Sequence, residues 1–230
     1  MDTQLENNPI FETLKSKANL KLDVYDVTLG IFKDFKTVVA QMAEEFSIQR
    51  TSEERYIPFE FKDKSEFEFE FRFAGDVLIF MMHTNIFEFS REHEVMRLPY
   101  IRDDKHRSYC GVIHIYNFLA DSFKYNRMND VGYLIGRVFI NKEKHYFIEG
   151  KREIGSLYPN FATAVIENGS IRNLVEKAML YTLNFDLLSP PYEQVKEVTL
   201  YEMQAVLDNM KIRTGKRLGF RFQSDKEETI

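Results

Sequence analysis

The sequence predicts an α+β fold: an antiparallel sheet of about five strands with helices packed on it, followed by a C-terminal helix–strand extension. Three observations carry this. Phe67, Phe69, Phe71 and Phe73 alternate with Glu66, Glu68, Glu70 and Arg72, which puts rings on one face of a strand and charges on the other. Val24, Val27, Ile31, Phe35, Val38, Met42 and Phe46 recur at spacings of three and four, the apolar stripe of a helix over 24–47. The runs 132–140 and 145–151 flank the polar stretch Asn141 to Lys144 and read as a hairpin.

Taken in order, residues 10–20 suggest a short helix, and Asp23 caps the long one. Strands follow at 55–62, 66–73 and 76–89. Their turns are Asp63-Lys64-Ser65 and Ala74-Gly75-Asp76, where Gly75 is free to take positive φ. Pro58 lacks an N–H, so the first strand belongs at an edge or near a strand start. The continuous apolar run Val77 to Met82 places the third strand centrally, covered on both faces. Residues 90–107 are polar and read as a loop. Val112, Ile115, Tyr116, Leu119 and Phe123 fit helical spacing, so 109–127 is expected to be a helix capped by Ser108. A further helix is expected over 170–184, capped by Ser170. Residues 1–189 then form the core domain, and 190–230 an extension packed on it. Thr199 and Glu202 form a capping box for its helix, and Arg217 to Phe222 a last strand.

Composition narrows the function. The 230 residues include 21 Phe and 12 Tyr, enough for an aromatic core without staples. A net charge of −5 argues against nucleic acid as a partner. Cys110 is the single cysteine, which rules out an intrachain disulfide and fits a reducing compartment. The opening MDTQLENNP is polar and acidic, unlike a secretory signal, and Val77 to Met82 is too short to span a bilayer. A cytoplasmic protein that does not engage membranes is expected.

The helix expected at 109–127, then a Gly-Arg-apolar strand, a short charged turn and a returning strand occupy residues 115–151, IYNFLADSFKYNRMNDVGYLIGRVFINKEKHYFIEGK. This order resembles the YbjN-type proteins, which share their fold with the type III secretion chaperones, over about residues 24–187. The resemblance implies helices on a sheet, a homodimer, and binding of another protein or peptide segment rather than catalysis. The segment 90–107 and the 190–223 extension depart from the pattern.

Few motifs suggest chemistry. Glu149-Gly150-Lys151, with Asp130 upstream, matches the metal site of PD-(D/E)xK nucleases, in which two carboxylates hold a divalent cation and a lysine sits by the attacking water. Glu60-Phe61-Lys62 matches the same pattern, so chance produces it at this charge density. His83, His93, His106, His114 and His145 show no metal-ligand spacing, and no metal or cofactor is expected. Cys110 reads as a small buried apolar residue. Two charged surfaces are candidate binding sites. One is the acidic face of Glu66, Glu68 and Glu70. The other is the acid-free stretch 211–221 with Lys211, Arg213, Lys216, Arg217 and Arg221. The basic stretch suits a phosphate, a nucleic acid or an acidic partner, or it pairs across strands with the acidic face. The expected function is therefore a non-enzymatic binding or adaptor protein, with a metal-dependent nuclease and a basic-patch binder as the alternatives.

Overall fold

The computed structural model describes residues 8–48, 57–128, 130–150, 154, 160–185, 189, 191–201, 203 and 204. Helix α1 (Pro9–Thr13) opens where the Asn8 side chain accepts from the Ile10 N–H, with Pro9 at the first helical position. A π-helical turn, Leu14–Ala18, leads directly into α2 (Asn19–Ile48). The helix predicted from residue 24 is thus a continuation. Asp23 is not its cap but a mid-helix residue paired with Lys142 at 2.6 Å. The predicted stripe is the buried side of α2, with Thr28 fully buried among its apolar members.

The sheet is antiparallel and seven-stranded. Its strands are β1 (Phe59–Ser65), β2 (Glu68–Phe73), β3 (Asp76–Met82), β4 (Phe87–Glu88), β5 (Tyr109–Leu119), β6 (Tyr133–Asn141) and β7 (Tyr146–Gly150). The spatial order is β1-β2-β3-β5-β6-β7, with β4 pairing onto β5 beyond the end of β3. The first turn falls at residues 66–67, not at 63–65, because β1 continues to Ser65 through a bulge. Glu66 and Phe67 therefore leave the strand.

The largest correction concerns 109–127. Tyr109–Leu119 is the strand β5, joined to a short helix α4 (Ala120–Lys124). Ser108 does not cap a helix there. Its Oγ closes the preceding 3-10 turn by donating to the Lys105 carbonyl at 2.7 Å. Cys110, Gly111, Val112 and Ile113 are all buried, because this strand is covered on both faces at that end. The run 90–107 is not a plain loop either. It folds as a 3-10 turn (Glu94–Arg97), α3 (Pro99–Asp103) and a second 3-10 turn (Lys105–Ser108). The hairpin β6–β7 and its turn stand where the sequence put them. Helix α5 (Asn168–Leu183) begins two residues before Ser170, after Glu167 and without a side-chain cap. A short α6 (Tyr192–Val195) follows.

The core lies between one sheet face and the two long helices. Phe69, Phe71, Phe73, Leu78, Phe80, Ile113, Ile115 and Val138 pack there against Phe32, Phe35 and Val39 of α2 and Leu174 and Ala178 of α5. Phe69 and Phe80 stack at 4.5 Å. The alternating rings at 69–73 are thus core, as their period implied. A second cluster covers part of the opposite face: Phe89, Val95, Ile101, Cys110, Phe147 and Phe161. Burial raises the Cys110 thiol pKa well above its ordinary value.

Candidate functional site

Strand register defines the second face. Three rows of residues cross it, and the first is Glu60, Arg72, Val77 and Phe118. The next is Lys62, Glu70, Ile79, Tyr116 and Leu134. Then come Glu68, Met81, His114, Arg137 and Glu149. Two caps bound these rows. At one end, Phe89 and the turns of 94–108 lie over Val112, Phe139 and Phe147. At the other, α4 and the following turn fold around Phe118. The Phe123 ring meets the Phe118 ring edge-on at 5.9 Å, and a Cβ on Gly132 would come within 2.2 Å of that ring. Any side chain at 132 would have to displace the Phe118 ring.

Between the caps runs a band of half-buried Ile79, Met81 and Tyr116, ending at Leu134, which is 41% exposed. Beside it the turn presents Phe123, Tyr125, Met128 and Val131 to solvent, with Met128 83% exposed. This turn is held from within. Asp130 forms an ion pair with Arg127, its carboxylate 2.9 Å from Nε, and accepts from the Ser122 hydroxyl at 2.6 Å, and both charged side chains are almost wholly buried. The Arg127 N–H also donates to the Ser122 carbonyl at 2.8 Å. Apolar side chains exposed beside a buried ion pair are surface whose burial would be favourable.

The opposite cap leaves a cavity of about 280 Å³. Phe87, Val112 and Phe139 give it apolar walls, and His93, His114, Arg137 and Glu149 supply polar groups. Arg137 donates twice to one Glu149 oxygen, from Nε at 2.7 Å and from Nη2. Its guanidinium also lies 5.3 Å from the Phe139 ring centre. Burial, then Arg137 and His83, hold the His114 pKa below the ordinary histidine value. Its Nδ1 is buried with no hydrogen-bond partner.

No family model, no curated protein and no solved structure matches the chain. The stretch 115–151, on which the expected likeness to YbjN-type proteins rests, opens in the second half of β5 rather than in a helix.

The sequence-predicted residues are distributed as follows. Asp130 is engaged inside the turn, and Glu149 faces Arg137. Asp130 precedes β6, whereas Arg137 is its fifth residue, roughly 13 Å of strand beyond Tyr133. The structure does not bring the two carboxylates together, and Lys151 lies outside the described residues. Among the described residues no group of three or more His, Cys, Asp or Glu is placed to hold a metal ion. No described helix is long and apolar enough to cross a membrane. Glu68 and Glu70 share the second face, while Glu66 is exposed in the turn. Glu70 pairs with Lys64 at 3.2 Å and Glu60 with Arg72 at 3.6 Å, so the acidic face is offset by its own neighbours. Lys211, Arg213, Lys216, Arg217 and Arg221, and with them the predicted last strand, lie outside the described residues. Residues 200 and 201 are helical, and the Met203 N–H donates to the Thr199 carbonyl at 3.0 Å, as the capping signal at Thr199 implies.

Sequence reasoning missed the Met128–Val131 turn and the cavity. The turn had one readable signal, Met128 and Val131 standing in an otherwise polar stretch. The cavity had none, since its residues come from β4 and the segment after it, β5, β6 and β7.

Proposed function

We propose that this protein is a non-enzymatic binding protein that receives an apolar segment of another protein on the band of Ile79, Tyr116 and Leu134 and the adjoining turn. The observation that carries the reading is the turn itself: Met128 and Val131 stand exposed on a backbone cross-tied by a buried ion pair. The band spans β3, β5 and β6, about 10 Å between outer strands, the width of one helix or one extended segment. That size favours a single segment over a second globular surface. The resemblance to YbjN-type proteins and secretion chaperones agrees with this class of partner, and a cytoplasmic setting agrees with the buried single thiol.

The test is a photo-crosslinking residue at position 128, expressed in the native host. The expected result is an adduct with another protein that disappears when Leu134→Glu is added, with the melting temperature unchanged. An adduct insensitive to Leu134→Glu, or none, overturns the reading. An adduct of two copies of this chain replaces it with a homodimer interface.

A further inference from the structure

We propose that residues 83–98 form a pH-responsive flap over the cavity beneath Phe87, latched by neutral His83 and His93 and released when these rings take up protons. Each ring accepts, at its Nδ1, the backbone N–H two residues ahead. The Asn85 N–H donates to His83 at 3.0 Å and the Val95 N–H to His93 at 3.2 Å. The second bond caps the 3-10 turn Glu94–Arg97. Elsewhere the chain makes the same two-residue bond with Asn8, Asp104, Asn141 and Asn160, the residue types ordinarily used for it. Histidine stands in for them at both ends of the segment that covers the cavity, where Phe87, Phe89 and Ser90 join its lining. The replacement matters chemically. Histidine changes charge between about pH 5 and 8, and an imidazole with protons on both nitrogens has no acceptor left. Protonation turns Nδ1 into a donor that faces another donor.

The backbone of this segment is otherwise lightly held. β4 contributes two residue pairs with β5, and the Phe89 N–H reaches the Ser108 carbonyl only at 3.4 Å, beyond the ordinary amide range. The buried Phe89 ring, set against Phe139 and Phe147, is the fixed point, and one latch stands on either side of it. Each histidine also meets a ring of the segment. His83 contacts Phe87 edge-on at 4.8 Å, and His93 lies 4.7 Å from Phe89. The surrounding charges leave the decision to the hydrogen bonds. On β5, His114 lies 6.3 Å from His83, and burial first, then Arg137 and His83, favour its neutral form. Arg137 of β6 and Glu149 of β7 are joined to each other. Glu88 is turned to the other face by its register with Tyr109. Glu66 is exposed and Glu68 half-buried on the β2 side, while Arg91, Glu92, Glu94 and Arg97 are exposed on the segment itself. Solvent screens the exposed groups. The device is independent of the surface around Met128.

The experiment is hydrogen exchange of the full chain by mass spectrometry at about pH 8 and about pH 5.5, on either side of the histidine range, corrected for the pH dependence of intrinsic exchange. Protection of peptides within 84–98 falls about tenfold at the lower pH, the size expected for one to two lost hydrogen bonds. Peptides of β6 and β7 keep their protection, which separates release of the flap from unfolding of the sheet. The double variant His83→Asn with His93→Asn keeps a side-chain acceptor at both positions and no longer titrates, so its flap is equally protected at the two pH values. Equal protection of 84–98 in the parent protein at both pH values, or a fall that persists in the double variant, overturns the proposal. Nitrogen-15 NMR of the parent imidazoles decides it even if the variant fails to fold. Both neutral rings must carry their proton on Nε2 at about pH 8, and a proton on Nδ1 of either ring overturns the latch.

Discussion

Thr28 of α2 and Gly111 of β5 meet so closely that a Cβ on Gly111 would stand 2.1 Å from the Thr28 Oγ1. Thr28 is fully buried, and its hydroxyl donates back to the Val24 carbonyl at 2.7 Å. The helix therefore rests on the sheet at a strand position without a side chain. Gly111→Ala is expected to lower stability by about 1–3 kcal/mol, the usual effect of overpacking. Urea denaturation followed by circular dichroism measures it. Adding Thr28→Ala removes the hydroxyl and methyl and restores part of the loss, because only the Cβ contact at 2.7 Å then remains.

The ion pair inside the Met128 turn should behave as a buried one. Asp130→Ala leaves the Arg127 charge among groups shielded from water, and a loss of about 3 kcal/mol is expected. Hydrogen exchange should localise the change to residues 120–132. An unchanged midpoint in denaturant would mean that water reaches Arg127 freely.

Tyr100 ties α3 to the β6–β7 turn. Its hydroxyl donates to Glu143 at 2.7 Å and accepts from Asn141 at 2.9 Å, its ring stacks on His145 at 4.7 Å, and the Arg107 guanidinium lies over it at 4.4 Å. Burial first, with the Glu143 bond assisting, pushes its pKa up to about 12. Tyr100→Phe keeps the stacking and removes both hydrogen bonds. A loss of about 1–2 kcal/mol follows, checked by thermal melting. Ultraviolet titration of the folded protein should show a late-ionising component that Tyr100→Phe reduces, Tyr109 being raised as well.

His114 makes stability depend on pH on the acid side. Its folded pKa lies below the unfolded value, so the unfolded chain takes up the proton first. The contribution is fully present above pH 6.5 and is lost as pH falls from there towards the folded pKa. Glu45 and Glu143, both lowered from 4.5, add their own losses at more acidic pH. His114→Gln should flatten the stability profile just below pH 6.5 and leave the carboxylate limb in place. A profile identical to that of the parent protein would sink this assignment.

The helix and strand periods legible in the sequence were those of elements with a single buried face. The Phe/Glu alternation and the α2 stripe each have one dry side and one wet side, so period and burial agree. β5 defeats this logic because both its faces are dry at one end, and consecutive apolar residues erase the alternation. The overlooked signal was composition: Val112, Ile113 and Ile115 are β-branched, and Gly111 is a poor helix residue. The cap of α5 was misplaced because Ser170, though a good cap by type, stands inside the first turn. The neighbours on the second sheet face were hidden for a different reason. Glu68 and Glu149 stand on one row of the sheet although 81 positions separate them in the chain, and only strand register reveals such neighbours.

The placement of β5 between β3 and β6 also dictates how the chain assembles as it leaves the ribosome. The meander β1-β2-β3 emerges first and shows a bare hydrogen-bonding edge on β3 until residue 119 has appeared. During that interval the edge is open to any extended chain, including another nascent copy. The polar, proline-containing stretch before β5 sets how long it stays open. Slow synthesis through 90–108 should therefore raise aggregation during expression, whereas slowing after β6 should have little effect.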